Sequence, residues 1–148
     1  MAVTVRKAGY SDVPWLLEQA QAFEKAAGYK HRLFPGAEKA SLVFAGLITN
    51  HIVLIATTGA ERLGFIAGAK SNHHFNPELR LLVELLWWVP EKYRGSRAGL
   101  MLMREFERIG RAEADQVVFS LEADSPVRLE HMTRRGFRLV ERSFLLEV

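Results

Sequence analysis

Glu84 has the residue type and the setting for acid–base chemistry. It stands inside the apolar segment LRLLVELLWWV at positions 79–89, which is rich in leucine, valine and tryptophan, as a buried strand is. On an alternating strand it shares a face with Leu82, Leu86 and Trp88, and burial among such side chains raises the pKa of a carboxyl group toward neutrality. A carboxylate of that kind can accept a proton from a substrate. The alternative is a glutamate that pairs with an arginine or faces water at a kink in the strand.

The turn PEKYRGSRAGL, at positions 90–100, directly follows this segment. Where a strand ends in a glycine-rich turn that begins a helix, unpaired backbone N–H groups and the positive end of the helix dipole form a site for an anion such as phosphate. Gly95 and Gly99 let the backbone approach a ligand closely, and Arg94 and Arg97 add positive charge. The alternative is a tight connection whose glycines only turn the chain.

Other motifs for chemistry are missing. Neither the phosphate loop that ends in Gly-Lys-Ser/Thr nor GxGxxG is present, which disfavours a nucleoside triphosphatase of that type and a Rossmann dehydrogenase. The sequence has no cysteine, which excludes disulfides, thiolate metal sites and a cysteine nucleophile. His73 and His74 are adjacent, but no carboxylate lies at a supporting spacing, so a solvated turn is favoured and no metal site is predicted.

The first half of the sequence predicts two helices and a hairpin. The first helix has Ser11 or Asp12 as N-cap and Pro14 in its first turn, and it ends at Gly28. The predicted elements are, in order, a strand over 3–8, helices over 11–28 and 37–50, and a hairpin of strands over 51–59 and 62–73.

The second half predicts a parallel strand pair connected by a helix. Its elements are, in order, a strand over 79–89, a helix over 96–114, a strand over 116–123, a helix over 125–136, and one strand or a strand pair over 137–148. Ser125 is the predicted N-cap of the last helix, with Pro126 at its first position and Gly136 as its C-cap. The strand–helix–strand order requires a crossover between parallel neighbours, so the sheet is mixed.

Length and composition indicate one ordinary domain over residues 1–148. The chain is 49% hydrophobic and 25% charged, and no apolar run approaches the ~20 residues of a membrane helix. It has no signal-peptide core, so a cytoplasmic location and no membrane partner are expected. The net charge is +3, and arginines cluster over 92–111. Such a cluster suits a phosphate-bearing ligand or nucleic acid, although a solvated helix face is the alternative.

The turn and the order of the elements together carry a resemblance to a known family. RGSRAG, from Arg94 to Gly99, resembles the signature of the GNAT N-acetyltransferases, in which Arg or Gln, two residues, Gly, one residue and Gly or Ala lie between the fourth strand and a helix. Arg97 replaces the middle glycine. The family's second marker, Gly-Phe after the last helix, is present as Gly136-Phe137, and the resemblance covers almost the whole chain. The stretch WWVPEKYRGSRAGL is also similar to short GNAT-like proteins encoded by phages and prophages.

The resemblance implies an α/β (α+β) fold with a splayed parallel strand pair that forms an acetyl-CoA cleft. The implied GNAT-like sheet is mixed and mostly antiparallel, with six to seven strands and about four flanking helices. Acetyl-CoA is the implied co-substrate, and no metal is expected. The implied contacts are Trp88 and Val89 for the pantetheine arm, and Arg94, Gly95, Ser96, Arg97, Ala98, Gly99 and Leu100 for the pyrophosphate.

The resemblance also bears on catalysis. The histone-acetylating branch of the family keeps a glutamate at a place similar to that of Glu84, which is therefore the candidate base. Ser125 is a second catalytic candidate, because relatives often carry asparagine there; a helix cap is its alternative role. Met132 occupies the position of a tyrosine that serves as the acid in many relatives, so water is left as a proton carrier.

The implied reaction is acetyl transfer to a primary amine, on a small molecule or on a protein lysine or N-terminus, by direct attack in a ternary complex. The loop YKHRLFP at 29–35 is basic and aromatic and is expected near the acceptor, which allows an acidic, phosphorylated or nucleic-acid-linked amine. Two alternatives stay open: a non-catalytic acyl-CoA-binding or regulatory module, and a basic nucleic-acid-associated protein. Dimers are frequent in the family, so a homodimer is a further expectation.

Overall fold

The structure is a computed structural model that describes residues 2–148. Its centre is one mixed sheet of five strands in the order β1-β2-β3-β4-β5. The four neighbours β1 to β4 pair antiparallel, and β5 lies parallel to β4. The strands are β1 (Thr4–Lys7), β2 (Ile52–Thr58), β3 (Glu61–Asn72), β4 (Arg80–Trp88) and β5 (Gln116–Val118). The predicted number of six to seven strands is therefore wrong for the described residues.

Four α-helices flank the sheet, as the sequence predicts. They are α1 (Val13–Ala27), α2 (Ala37–Asn50), α3 (Ala98–Glu113) and α4 (Leu129–Arg134), with short 3-10 turns at Tyr10–Asp12 and Glu91–Tyr93. The first helix ends as predicted, because Gly28 has a φ of 70°, which favours glycine. None of the helices within residues 2–148 is long and apolar enough to cross a membrane.

The two faces of the sheet have separate cores, because successive side chains of a strand point to opposite sides. On one face, Leu54 and Ile66 pack with Leu102 and Phe106 of α3. On the other, Ile55 and its neighbours pack with residues of α1 and α2, among them Leu16 and Phe44. The predicted hairpin is confirmed by the pairing of β2 with β3.

Asp12 joins β1, β3 and the start of α1. It is 2% exposed, and its carboxylate accepts hydrogen bonds from Arg6 at 2.8 Å, from Arg62 at 2.9 Å and from the backbone N–H of Gly9 at 2.8 Å. The hydrogen bond from Arg6 is the largest influence on its pKa, which lies well below its usual range despite burial. Asp12 is the N-cap residue of α1, as predicted, but its side chain binds these partners rather than capping the helix.

A bulge in β4 overturns the predicted face of Glu84. Glu84 pairs with Gly68 and Leu86 with the preceding residue of β3, which leaves Leu85 as the extra residue of β4. Leu82 packs on the α3 side, whereas Leu86 and Trp88 pack on the side of α1 and α2. Glu84 therefore does not share a face with Leu86 and Trp88, because an inserted residue reverses the alternation beyond it.

The last part of the chain departs furthest from the prediction. The segment 116–123 forms a strand only over Gln116–Val118, and the residues 137–148, predicted as a strand or strand pair, form none. A strand needs a neighbour along its whole length, and the ladder of β5 ends at Val118. Three consecutive apolar residues at 144–146 also break the alternation of the tail.

The predicted cap of the last helix is wrong as well. The helix α4 begins at Leu129 with Arg128 as N-cap, and not at Ser125 and Pro126. The Oγ atom of Ser125 instead accepts a hydrogen bond from the N–H of Val127 at 3.2 Å, within the loop before the helix.

Candidate functional site

A cleft of about 460 Å³ opens where β4 and the chain after β5 separate. The two strands pair only over Leu81–Val83 and Gln116–Val118. Beyond that point β4 continues to Trp88 without β5 beside it, because the bulge and the short ladder let the two chains diverge. The walls are the end of β4 at 84–89, the turn at 93–96 with Gly99, the loop at 120–122 and 124–127, and the α1 residues Phe23, Ala26 and Ala27.

Glu84 lies at the fork between the two strands. Its side chain is buried, and its Oε1 atom accepts a hydrogen bond from the backbone N–H of Ser120 at 3.0 Å. Its partner in the ladder is Gly68, and a side chain added at Gly68 would meet the ring of Phe106. Glu84 therefore points to the α3 side, where the opposite residue lacks a side chain and an aromatic ring fills the space.

The environment of Glu84 suits a proton acceptor near neutral pH. Burial raises the pKa of its carboxyl group to about 7, and the negative charge of Glu122 adds to the effect, while the N–H of Ser120 partly opposes it. At pH 7 the two protonation states are therefore comparably populated. A base with this pKa combines a sizeable deprotonated fraction with a strong affinity for a proton.

The turn after β4 has the geometry of an anion site. Gly95 has a φ of 91°, a conformation that favours glycine. The Oγ atom of Ser96 accepts a hydrogen bond from the N–H of Ala98, the first residue of α3, at 3.2 Å. The following N–H groups, at Gly99 and Leu100, have no acceptor inside the helix, since the first helical bond runs from the N–H of Met101.

Arg94 lies across the end of β4. Its Nε atom donates to the carbonyl oxygen of Val89 at 2.9 Å, and its guanidinium lies 5.0 Å from the centre of a Trp88 ring. The resemblance implies that Val89 holds a ligand arm. Its carbonyl oxygen already accepts a hydrogen bond from the protein's own arginine, which leaves one lone pair of that oxygen for a ligand.

Trp87 and Trp88 face opposite sides of the sheet, and both line the cleft. The Nε1 atom of Trp88 donates to Gln19 of α1 at 3.1 Å, and its ring meets Phe23 edge-on at 5.9 Å. The ring of Trp87 meets Phe119 edge-on at 5.7 Å. These contacts fix the two side chains that flank the mouth of the cleft.

Both residues predicted for catalysis and most of those predicted for ligand binding lie together at the cleft. Those that line it are Glu84, Trp88, Val89, Arg94, Gly95, Ser96, Gly99 and Ser125. Three others do not line it: the side chain of Arg97 is exposed, Ala98 is fully buried and Leu100 is partly buried. Met132 is also buried away from the cleft lining.

Carboxylates gather on the side of the cleft that faces the loop at 29–35. Glu122 and Asp124 line the cleft, and Glu122 accepts a hydrogen bond from the hydroxyl of Tyr29 at 2.9 Å. Burial raises the pKa of Tyr29, and the charges of Glu122, Glu147 and Asp124 raise it further. The electrostatic environment of this loop is thus more negative than its own basic residues suggest.

Sequence reasoning missed the α1 wall and the loop after β5. Phe23, Ala26 and Ala27 lie three and four residues apart on one face of α1, so helical periodicity indicates a shared face but not what that face meets. Ser120 was hidden inside a predicted strand, although its N–H is the hydrogen-bond donor to Glu84. Among residues 2–148, no group of three or more His, Asp or Glu side chains is placed to hold a metal ion.

The sequence matches no protein-family model, and it matches no curated protein. Solved structures are similar to it in fold. A predicted acetyltransferase from Clostridium acetobutylicum, solved with acetyl-CoA, has a TM-score of 0.76 at 12% identity and covers 99% of this chain and 96% of its own. An acetyltransferase from Trypanosoma brucei has a TM-score of 0.75 at 16% identity, covering 99% and 100%. A transcriptional regulator from Bacillus halodurans has a TM-score of 0.78 at 14% identity, covering 99% and 100%.

Proposed function

We propose that this chain, which has the fold of the GNAT acetyltransferases, is an N-acetyltransferase that moves an acetyl group from acetyl-CoA to a primary amine in a ternary complex. The observation that carries the proposal is Glu84, a buried carboxylate of near-neutral pKa that lines the cleft at the fork of β4 and β5. Burying a carboxylate without a cationic partner is costly, which favours a functional role for this one.

The cleft has the features that an acyl-CoA thioester needs. The edge of β4 beyond Val83 is free of β5, so its backbone groups can bind the amide-bearing pantetheine arm as an added strand does. The N–H groups at the start of α3, with Gly95 and Ser96 before them, suit the pyrophosphate. Acetyl-CoA supplies the thioester, whose carbonyl carbon forms the new bond to the amine nitrogen as its bond to sulfur breaks.

Glu84 acts as the base. A primary amine such as that of lysine is protonated at pH 7, with a pKa of about 10.4, and only the neutral form is a nucleophile. Glu84 accepts the proton that the ammonium group must lose. Ser125 provides a hydroxyl in the same cleft, and its oxygen already accepts a bond from Val127, so its hydrogen is free to be donated toward the departing sulfur.

The charges of the cleft favour a cationic acceptor. Glu122 and Asp124 face the space next to Glu84, and both attract an ammonium group. This supports an amine on a small molecule or on a protein lysine or N-terminus, and it argues against the acidic or phosphorylated acceptor that the loop at 29–35 suggested. A cytoplasmic location remains part of the proposal.

A second candidate function is an acyl-CoA-binding regulatory module without turnover. The observation that favours it is Met132, a side chain that cannot donate a proton and is buried away from the cleft lining. One of the solved structures of similar fold is a transcriptional regulator. The two candidates share the CoA site and differ in whether Glu84 takes part in a reaction.

The test is thiol release from acetyl-CoA with a panel of amines, together with CoA binding by calorimetry. The enzyme is supported if an amine gives turnover that falls by roughly 100-fold or more in Glu84→Gln while CoA still binds. The matched control is Glu78→Gln, an exposed glutamate outside the cleft, which should keep full turnover. CoA binding without turnover on any amine would favour the module, and no CoA binding would contradict both candidates.

A further inference from the structure

Phe119 lies at the centre of a group of aromatic rings beside the fork of β4 and β5. Its ring meets those of Trp87 at 5.7 Å, Phe106 at 5.3 Å and Phe137 at 5.4 Å, each edge-on. We call these four residues the aromatic cluster. Because the three partners lie on β4, on α3 and after α4, separate parts of the chain hold the ring of Phe119 from different sides.

The backbone at Phe119 lies just beyond the ladder that pairs β4 with β5. The ladder ends at the pair Val83 and Val118, one residue before Phe119. One residue after Phe119, the N–H of Ser120 donates to the Oε1 atom of Glu84 at 3.0 Å. That N–H belongs to the planar peptide unit that starts at the Cα atom of Phe119, so the anchoring of Phe119 limits where the N–H can lie.

The aromatic cluster also closes the space around the carboxyl group of Glu84. Glu84 pairs with Gly68 in the β3–β4 ladder, and a Cβ atom added at Gly68 would meet the ring of Phe106. Phe106 is fully buried, and a close-packed interior leaves such a ring little room to shift. The same ring therefore fills the space opposite Glu84 and supports Phe119.

We propose that Phe119 is a positioning residue for Glu84, because its ring holds the N–H of Ser120 on the carboxylate. The role rests on the proposed function, in which Glu84 accepts the proton of the amine. The N–H occupies Oε1, and within residues 2–148 the hydrogen bonds of Glu84 involve that oxygen alone. The Oε2 atom is thus left for the ammonium group of the acceptor, while the N–H favours the charged form of Glu84 that this acceptor needs.

The charges near Glu84 give this one N–H a large influence. Burial and the negative charge of Glu122 both disfavour the ionised carboxylate, whereas the N–H of Ser120 favours it. No ion pair within residues 2–148 includes Glu84. Loss of the N–H should therefore raise the pKa of Glu84 further above its ordinary value.

The experiment is an NMR titration of the Glu84 carboxyl carbon in the full chain, with Glu84→Gln to assign the signal. Phe119→Leu should raise the pKa of Glu84 by about one unit, because a hydrogen bond to a charged group is lost. Ser120→Pro deletes the same N–H directly and should raise the pKa by a similar amount. The two changes together should add little beyond either alone. Ser120→Ala keeps the N–H, so as the matched control it should leave the pKa unchanged.

Turnover gives a second readout that a merely structural defect would not reproduce. A rise of one unit from a pKa of about 7 lowers the ionised fraction of Glu84 at pH 7 by about 5-fold. Relative to the unaltered chain, kcat/KM of Phe119→Leu should therefore be about 5-fold lower at pH 7 and nearly equal at pH 9. Phe44→Leu makes the same change in the other core, and its ratio to the unaltered chain should be the same at both pH values.

A pKa of Glu84 that stays unchanged or falls in Phe119→Leu overturns the inference. So do shifts of Phe119→Leu and Ser120→Pro that add in full, because the ring would then act on Glu84 by a route other than the N–H of Ser120. Phe119→Met, which fills a similar volume without a ring, replaces the leucine variant if thermal unfolding shows that the latter does not fold. Absence of turnover on every amine would contradict the proposed reaction alone, since the titration needs no substrate.

Discussion

Replacing Glu84 by glutamine should abolish turnover and stabilise the fold. Burial raises the pKa of this carboxyl group from 4.5 to about 7, so the folded chain holds a proton that the unfolded chain has released over that range. A group that binds a proton more tightly in the folded state lowers stability as the pH rises through the range. Glutamine cannot ionise, and its side-chain oxygen can still accept the N–H of Ser120.

The size of the effect follows from the width of that range. Each pH unit between the unfolded and the folded pKa is worth ~1.4 kcal/mol, and the interval from 4.5 to about 7 gives a ceiling of about 3 kcal/mol. The new amide N–H₂ needs its own partners, which reduces the gain. Glu84→Gln should thus raise the free energy of unfolding by about 2–3 kcal/mol at pH 8, and by nearly nothing at pH 4.5 and below.

The assay is urea unfolding of both proteins at several pH values between 4.5 and 8. The control is Glu107→Gln, another buried carboxylate, which accepts hydrogen bonds from Arg111 and Arg135. Burial raises the pKa of Glu107, but the two arginines outweigh burial and leave it below the ordinary value. Its contribution to stability is present above the unfolded pKa and is lost as the pH falls, so Glu107→Gln should destabilise the fold at pH 8, by about 1–2 kcal/mol.

A gain in stability from Glu84→Gln and a loss from Glu107→Gln at pH 8 would thus support an unpaired buried carboxyl group at Glu84 and an arginine-paired one at Glu107. The reasoning is refuted if the stability gain of Glu84→Gln over the unaltered chain is no larger at pH 8 than at pH 5, or if the variant is less stable than the unaltered chain at pH 8. Either result would mean that Glu84 is ionised and well paired in the folded chain, with no tendency to hold a proton near pH 7. If Glu84→Gln gains stability but keeps full turnover, the burial of Glu84 is supported and its proposed role as the base is contradicted.

Three further changes test other parts of the molecule. Asp12→Asn removes the carboxylate that two arginines share, so the free energy of unfolding at pH 7 should fall by about 3 kcal/mol. The loss should be smaller in acid, where the carboxylate is partly protonated. Urea unfolding measures both values, and a loss below ~1 kcal/mol at pH 7 would contradict the prediction. Gly64→Ala places a Cβ atom 2.8 Å from the carbonyl oxygen of Trp88, so the end of β4 must shift. The affinity for CoA, measured by calorimetry, should then fall by about 10-fold. An unchanged affinity would be evidence against a CoA site at the end of β4. Arg97→Gly removes an exposed cation beside the start of α3, so CoA should bind about 3- to 10-fold more weakly, with less dependence on salt. Pantetheine, which lacks the phosphates, is its control and should bind equally to both proteins.

The local features of the chain could be predicted from the sequence. Gly28 and Gly136 both have positive φ values. Gly28 ends α1 as predicted, and Gly136, the predicted C-cap of the last helix, directly follows the observed C-cap Arg135. The start of α3 within the turn at 90–100 and the pairing of the hairpin also follow from patterns a few residues long. Such features depend on backbone conformations and on periodicities that neighbouring residues set by themselves.

The sequence also indicated which residues belong to the site, but not how they are arranged. Glu84 stands out in the sequence because a charged residue inside an apolar strand is unusual. Its supporting donor Ser120 and its setting opposite Gly68 depend on pairings across the sheet. No local pattern reveals either contact, since the partners are dozens of residues away in the chain.

The bulge at Leu85 and the end of the β4–β5 ladder at Val118 were decided only by the tertiary structure. An alternating pattern assigns faces on the assumption of an unbroken register, and one extra residue reverses every assignment beyond it. The tail shows the same dependence, because its strand-like residues lack a neighbour to pair with in the described chain. Residue type therefore determined the chemistry that is available, while cross-strand register determined which face of the sheet, and which cleft, that chemistry meets.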